Sequence, residues 1–240
     1  MNRIIKVYLK NVFNQKGFYI CLAINIAMNI IIPFIVGIFT HSNGNGTVCS
    51  KVISALSGAV GIVEVIFITI FVCSDFSEGA TKNFISRGYT RRQVLYAKFI
   101  VSMIAAFVFL LTNILGTFIF YGKNEMGFDS SIILYAIGAI AALVANVGLY
   151  VVISNTVEKL GIAIATNLIL PNVVNMIFPL ISLAAKTDID YSKYWITGLT
   201  ELMSNTPSFK EMLWVVAISL VYLVILFEVS NFIIKKKEVK

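Results

Sequence analysis

Long apolar runs separated by short polar segments make up most of this chain. Six of these runs are long enough to cross about 30 Å of hydrocarbon as helices of about 20 residues each. They cover residues 17–40, 53–73, 99–121, 132–154, 160–183 and 213–234. The pattern predicts an all-α integral membrane protein with six transmembrane helices, which form a single transmembrane domain over residues 1–240.

Residues 2–16 precede the first of these runs and have a different pattern. Apolar and basic side chains recur there with helical spacing, so that each kind occupies its own side of a helix. The apolar side holds Ile5, Tyr8, Leu9, Val12 and Phe13, and the polar side holds Arg3, Lys6, Lys10 and Asn14. We expect an N-terminal amphipathic interfacial helix that lies in the headgroup layer and does not span the bilayer.

Composition and charge support this class and give an orientation. Hydrophobic residues make up 58% of the chain, charged residues make up 13%, and the mean hydropathy is +0.88, which is too apolar for a water-soluble globule. Of the 19 Lys and Arg residues, 14 fall in the two terminal segments and the two loops on one side of the predicted spans. The positive-inside rule places that side, with both termini, in the cytoplasm. The net charge of +7 is then explained by anionic lipid, and no nucleic-acid partner is expected.

The longest polar segment between two runs on the predicted cytoplasmic side is 74–98. It begins with an apolar stripe at helical spacing, formed by Phe76, Ala80, Phe84 and Ile85. This stripe predicts a short helix that lies on the membrane surface or in a partner's groove. Gly88 should end that helix, and Thr90 should cap a second one that continues into the third apolar run.

The residue order in this segment resembles the first cytoplasmic loop of type-2 ATP-binding-cassette (ABC) export permeases. The likeness is carried by Glu78-Gly79, a mixed apolar run, Ser86, a turn at Gly88, Thr90-Arg91 and Lys98. Gly88 stands where the family usually has Pro, so the turn should be less rigid here. The match covers about one tenth of the chain, and the layout of the six spans extends the resemblance over the rest.

The resemblance implies a transport subunit that is not itself an enzyme and contains no catalytic residues. The short helix would be a cytoplasmic coupling helix between spans two and three. It would dock onto an ABC ATPase subunit, present in two copies, which would hold the ATP and Mg²⁺. A second permease subunit, in a homodimer, would complete the path. The implied ATPase-docking residues are Phe76, Glu78, Gly79, Phe84, Ser86, Arg87, Gly88, Arg91 and Arg92.

Missing motifs limit what this chain could do alone. No G-x-x-x-x-G-K-S/T sequence occurs, so ATP is not expected to bind here. His41 has no Asp, Glu or Cys at ligand spacing, so neither a metal nor a cofactor is expected. The three cysteines, Cys21, Cys49 and Cys73, suit small apolar fillers better than a redox role.

Polar residues inside the apolar runs predict a translocation path. Glu64 lies near the middle of the second run, and such a carboxyl should face protein or water and not lipid. The fifth run contains Pro171 and Pro179, which favour a bent backbone that lines the path. The expected path residues are Glu64, Ser57, Asn167, Asn172 and Asn175. The alternatives are a neutral Glu64 at a helix contact and an inert, kinked fifth span.

Three further features predict contacts. Small residues at Gly138, Ala141, Ala145 and Gly148 form a seam along the fourth run where another helix can approach closely.

The external segment 184–212 carries Tyr191, Tyr194 and Trp195, which indicate an aromatic belt or short external helices; by resemblance, it would cap the outer mouth. Glu228, near the cytoplasmic end of the sixth run, should pair with a basic residue of the N-terminal helix.

The favoured function is ATP-driven export of amphipathic antimicrobial or toxin peptides from a Gram-positive bacterial cell membrane. The small size, the absence of a large extracellular domain and the composition rich in Ile, Asn and Lys resemble compact peptide-exporter permeases of low-GC Gram-positive bacteria, such as those for phenol-soluble modulins. Bacteriocin immunity and drug or lipid export are alternatives within this class. A secondary transporter with Glu64 and Glu228 as proton sites is an alternative from another class, and a membrane scaffold is a third.

Overall fold

The computed structural model describes residues 2–41, 48–77, 79–121, 130–157, 159–185, 191–204 and 208–236. Within these ranges the chain is helical and has no strand, which confirms the all-α class. The helices are α1 (Asn2–Asn14), α2 (Lys16–His41), α3 (Val48–Ser77), α4 (Ala80–Ser86), α5 (Arg91–Tyr121), α6 (Ser130–Val157), α7 (Leu160–Ala184), α8 (Ile196–Ser204) and α9 (Phe209–Lys236). A 3-10 turn at Tyr191–Tyr194 precedes α8.

Several of these helices are long and apolar enough to cross a bilayer. Among the described residues, four meet the requirements for length and hydropathy, at Arg91–Gly116, Ala136–Val157, Leu160–Ala184 and Phe209–Ile233. The pair α1 and α2 meets them together, with a bend of 62° between its two parts, and would raise the number to five. α3 is also 30 residues long, but its first 13 side chains lie outside the described set. The chain is therefore a membrane protein with at least four candidate spans, and a count of six remains a prediction.

α1 has the amphipathic character expected from the sequence. Ile4, Tyr8 and Val12 are buried on one side, whereas Lys6 and Lys10 are exposed. The buried stripe is rotated slightly from the prediction, because Ile4 is inside and Phe13 is 37% exposed. α1 packs mainly on α5, so its apolar side is held by the bundle itself.

An aromatic cluster joins the first helices of the bundle. The rings of Phe18, Phe67 and Phe109 belong to α2, α3 and α5, and their centroids lie 5.4–5.6 Å apart. Phe71 extends the cluster toward Tyr8 of α1, at 5.9 Å. Each of these rings is at least nine-tenths buried, so the cluster fixes α3 and α5 side by side.

The predicted small-residue seam on α6 is confirmed. α6 makes its most extensive contacts with α9. A methyl group added at Gly148 would lie 3.1 Å from Leu226 of α9, and one added at Gly138 would overlap the sulfur of Met203 on α8. The absence of side chains therefore lets both neighbours approach the α6 backbone.

The short helices predicted for the segment 184–212 are present, and α8 packs into the bundle. Ile196, Leu199 and Met203 of α8 are almost completely buried. The Trp195 indole donates to the carbonyl oxygen of Pro171 at 2.9 Å, which links the start of α8 to α7. α7 itself continues as one helix through both of its prolines.

Gly198 gives a test of how closely α8 packs against the turn that precedes it. A methyl group there would overlap the carbonyl oxygen of Ser192, a backbone atom that a rotamer change cannot move. We expect Gly198→Ala to destabilise the protein by about 2 kcal/mol through overpacking, measured by thermal unfolding in mild detergent.

Gly161→Ala is the matched control, since nothing lies within 4 Å of the added methyl group. Alanine is the better helix former, so this control should leave the unfolding temperature unchanged or raise it slightly. Equal unfolding temperatures for the two variants would contradict the tight seating of α8.

Candidate functional site

A cavity of about 330 Å³ lies between α3, α5, α6, α7 and α8. Its polar lining consists of Glu64, Asn113, Asn146, Tyr150, Asn167, Asn172, Thr197, Thr200 and Glu201. Apolar side chains, including Ile62, Val65, Leu110, Leu143, Leu168 and Met203, form the rest of the wall. A concave, mostly apolar site with a few convergent polar groups is the usual form of a ligand pocket.

Glu64 supplies a carboxyl group from the middle of α3. The residue is only 6% exposed, and its Oε1 atom is buried without a hydrogen-bond partner in the described structure. The lining residues include no Lys, Arg or His. The prediction that Glu64 faces protein or water and not lipid is confirmed by this position.

Asn167 connects three of the cavity's helices. Its side-chain nitrogen donates to Thr69 Oγ1 of α3 at 2.8 Å and to Ser154 Oγ of α6 at 3.0 Å. Its Oδ1 atom is buried and has no hydrogen-bond partner among the described residues. The amide is thus held firmly through its donors while its acceptor is left unused.

α8 forms the remaining wall and contributes residues that the sequence did not single out. Thr197, Thr200 and Glu201 line the cavity from α8, beside the stripe of Ile196, Leu199 and Met203 that is buried in the bundle. Asn146 of α6 donates to Thr200 Oγ1 at 3.2 Å, which ties this wall to the bundle. The i, i+3, i+4 spacing of these polar residues in a short apolar helix was the available signal.

The structure brings together three of the five predicted path residues. Glu64, Asn167 and Asn172 line the same cavity. Asn175, one turn further along α7, is half-buried and is not among the lining residues. The side chain of Ser57 lies outside the described set.

A second cluster of interest lies at the predicted cytoplasmic side, around α4. Gly79 and Gly88 flank this helix with φ angles of 68° and 86°, which non-glycine residues rarely adopt. After Gly88, Thr90 Oγ1 accepts from the Gln93 backbone N–H at 3.3 Å, and Gln93 Oε1 accepts from the Thr90 N–H at 3.0 Å. This capping box starts α5 as the sequence predicted.

The predicted docking residues divide into an inner and an outer set. Phe84 is 8% exposed and packs against the Tyr8 ring at 5.2 Å, so it attaches α4 to this chain and does not face a partner. The outer, solvent-accessible set comprises Gly79, Ser86, Arg87, Gly88, Arg91 and Arg92. Glu78 and the side chain of Phe76 lie outside the described residues.

Beneath α4 lies a buried ion pair that the sequence interpretation missed. Lys98 Nζ of α5 contacts Asp75 Oδ2 of α3, and both side chains are at most 5% exposed. The same carboxylate accepts from the Tyr8 hydroxyl at 3.0 Å and from Thr81 Oγ1 at 2.6 Å. Asp75 therefore joins α1, α3, α4 and α5 at one point.

The expected partner of Glu228 was wrong. Glu228 pairs with Arg92 of α5, at 3.6 Å between Oε1 and Nη2, and not with a residue of α1. The Arg92 guanidinium also lies within 6 Å of the Tyr96 and Phe227 ring centroids. α9 passes beside the first turn of α5, so a cation from that turn reaches Glu228.

The described part of the chain contains no candidate metal centre. Nowhere in those ranges do three His, Cys, Asp or Glu side chains come together in a way that could hold a metal ion. Cys21 and Cys73 are buried and form no disulfide within the described residues, and Cys73 Sγ donates to the carbonyl oxygen of Ser154 at 3.9 Å.

Comparison with known proteins identifies the family of this chain, and that family has no described function. No curated protein matches this chain. A family model described as a protein of unknown function, DUF2705, matches residues 9–240. The chain therefore belongs to the DUF2705 family.

Proposed function

We propose that this chain is the membrane-spanning permease subunit of an ATP-driven exporter in a bacterial cell membrane. One observation carries the proposal: the surface helix α4 is joined through Asp75 to α3 and α5, and both of these helices line the cavity. A force applied to α4 from outside the chain would therefore reach the cavity through two rigid elements.

The distances from the Asp75–Lys98 ion pair to the cavity, measured along α3 and α5, are similar. Asp75 and Glu64 are separated by about 16 Å along α3, at 1.5 Å per residue. Lys98 and Leu110 are separated by about 18 Å along α5. Movement of the ion pair would tilt or shift both helices together and change access to the cavity.

The partners follow from the same arrangement. A separate ATPase, in two copies and carrying ATP and Mg²⁺, would dock on the outer face of α4 and the first turn of α5. A second copy of this chain would complete a homodimer with six spans in each subunit and all termini in the cytoplasm. α2, α7 and α9 expose many large apolar side chains, which suits contact with lipid or with that copy.

The substrate favoured by the cavity is amphipathic. Carboxyl, amide and hydroxyl groups lie opposite an apolar wall, which suits a cationic, partly apolar molecule such as an antimicrobial or toxin peptide better than a sugar polymer. The chain itself would move the substrate and catalyse no reaction. Hydrolysis would belong to the partner.

The direct test is affinity purification of the tagged full-length chain from its native membrane in mild detergent, with and without cross-linking. We expect a chain with a P-loop to be recovered in a 1:1 ratio. Glu64→Gln should recover the same chain, because the cavity is remote from α4. Recovery of the permease with no ATPase under both conditions would reject the proposal.

A proton-coupled secondary transporter is the second candidate, favoured by the unpartnered carboxyl oxygen of Glu64. Glu228 does not support it, since this residue is exposed and paired with Arg92 outside the cavity. Uptake into inverted vesicles separates the two candidates. Transport driven by an imposed pH gradient in the absence of ATP would favour the secondary transporter.

Glu64→Gln should lower export by about 10- to 100-fold at an unchanged protein level. The substitution removes a charge-assisted interaction of about 1.5–3 kcal/mol with a cationic substrate while preserving the side-chain shape. Export of the substrate from cells, normalised to the permease in the membrane, measures the effect. Glu228→Gln is the matched control and should retain most of the activity, because its carboxylate lies outside the cavity.

A further inference from the structure

Three buried oxygen atoms without partners belong to residues that line the cavity from three different helices. They are Glu64 Oε1 of α3, Asn167 Oδ1 of α7 and Thr197 Oγ1 of α8. None has a hydrogen-bond partner in the described part of the chain. Buried polar atoms in folded proteins nearly always have a partner, so these three oxygens are available to a ligand that enters the cavity.

The chemistry of these three oxygen atoms defines the kind of group that could bind to them. A carboxylate and an amide oxygen can only accept hydrogen bonds, and a hydroxyl can accept as well as donate. The lining also holds the second carboxyl, of Glu201, and it includes no basic side chain. The complementary group is therefore a cation that carries several N–H donors.

The remaining walls indicate that an apolar chain is attached to this cation. Ile62, Leu110 and Leu168 line the cavity with the oxygen-bearing residues. The volume of about 330 Å³ far exceeds the roughly 10–15 Å³ that one water molecule requires. A primary ammonium has three N–H donors for the three oxygens, and its methylene stem would lie against the apolar wall.

We propose that this cavity, inside a single copy of the chain, binds the primary ammonium end of an alkyl chain. A lysine side chain would supply such a group, and so would an aminoethyl headgroup. The inference deepens the proposed function and rests on it for its meaning, since it names the chemical group by which the exporter would recognise its substrate. α8 supplies Thr197 and Glu201, so this external helix is part of the binding site and not only a cover.

The test uses the full-length chain purified in lipid nanodiscs, with n-butylammonium chloride as the probe. Binding is followed by the unfolding temperature and by the fluorescence of Trp195, whose indole donates to the cavity residue Pro171. A Trp214→Phe background leaves Trp195 as the only indole. We expect a saturable rise in unfolding temperature together with a saturable change in fluorescence.

Three reference compounds, at matched ionic strength, separate the features of the probe. Sodium chloride has the charge without N–H donors, tetramethylammonium has charge and methyl groups without N–H donors, and n-butanol has the alkyl chain without charge. Each should bind at least tenfold more weakly than n-butylammonium. Equal binding of any one of them would overturn the proposal.

Variants locate the site. Glu64→Gln and Thr197→Val should each weaken n-butylammonium binding, the first by about tenfold or more, whereas Glu228→Gln should leave it unchanged. Lysine amide and phosphatidylethanolamine in the nanodisc then distinguish a side-chain source from a headgroup source. Unchanged binding in both Glu64→Gln and Thr197→Val would overturn the assignment of the site.

The n-butylammonium experiment tests the binding site, and the ATPase purification tests the exporter, so the two results are independent. Binding of n-butylammonium without a co-purifying ATPase would reject the exporter and keep the site. A co-purifying ATPase without n-butylammonium binding would keep the exporter and reject the site.

Discussion

Lys98→Met should destabilise the protein by about 3–5 kcal/mol, which is a large fraction of the roughly 5–15 kcal/mol that stabilises a typical folded protein. The substitution leaves the Asp75 carboxylate buried without its cation, and such an uncompensated charge is among the most costly defects in a protein interior. Tyr8 and Thr81 still donate to the carboxylate but carry no positive charge. Unfolding in mild detergent, followed by the accessibility of Cys73 to a thiol reagent, measures the loss.

A double variant separates charge from packing. Combining Asp75→Asn with Lys98→Met removes both charges and keeps an oxygen that can accept from Tyr8 and Thr81. Most of the lost stability should return, so the two substitutions should couple by about 2 kcal/mol or more in a double-mutant cycle. Lys82→Met, at an exposed position on α4, is the surface control and should change stability by less than about 0.5 kcal/mol.

The same cycle tests the attachment of α4. If the double variant is stable but Thr81 loses its charged acceptor, α4 should become more open to limited proteolysis than in the native chain. A Lys98→Met variant as stable as the native protein would show that the ion pair does not hold these four helices together.

The parts of the fold that the sequence predicted well are those with local causes. The apolar run 160–183 became α7 at Leu160–Ala184, because the hydropathy that defines a span lies in the span itself. Gly88 and Thr90 ended one helix and started the next through backbone conformation and a capping box, both decided within a few residues.

The parts that could not be predicted depend on how helices pack. Asp75 pairs with Lys98 because α3 and α5 lie side by side, and Glu228 pairs with Arg92 because α9 passes the start of α5. The hydrophobic pattern of a buried membrane helix is nearly uniform around its axis, so it does not reveal which neighbour each face meets.

The candidate site shows the same division. Glu64 and Asn167 could be selected from sequence, since a polar residue inside an apolar run is conspicuous and costly in lipid. Glu201 was not selected, because it lies in a segment between two apolar runs, where a charged residue is ordinary. Its place in the cavity depends on α8 turning back into the bundle, which the buried residues Ile196 and Leu199 cause.

Reversing both charges in Arg91→Glu with Arg92→Glu should reduce substrate-stimulated ATP hydrolysis by about 100-fold or more, if an ATPase docks here as proposed. Like charges facing each other across an interface cost several kcal/mol, and each 1.4 kcal/mol is a factor of ten in affinity. The measurement is hydrolysis by the permease and its ATPase reconstituted together, with the amount of ATPase that co-purifies as a second readout.

Arg92 also has a structural role, so the design must separate docking from folding. Its guanidinium pairs with Glu228 and lies over the Tyr96 and Phe227 rings. The exchange Arg92→Glu with Glu228→Arg restores an ion pair of opposite direction between α5 and α9. Because both side chains are more than half exposed, this pair contributes at most about 1 kcal/mol, and the exchanged protein should fold normally.

The activity of the exchanged protein then identifies what Arg92 does. If Arg92 contacts the ATPase, the exchange should stay defective in hydrolysis although the bundle is intact, and Arg91→Glu alone should be defective as well. If hydrolysis returns with the exchange, the effect of the first variant came from α5 and α9 separating inside the chain. Docking would then have to be carried by Ser86, Arg87 and the exposed face of α4 alone, and the first turn of α5 would not belong to the docking surface.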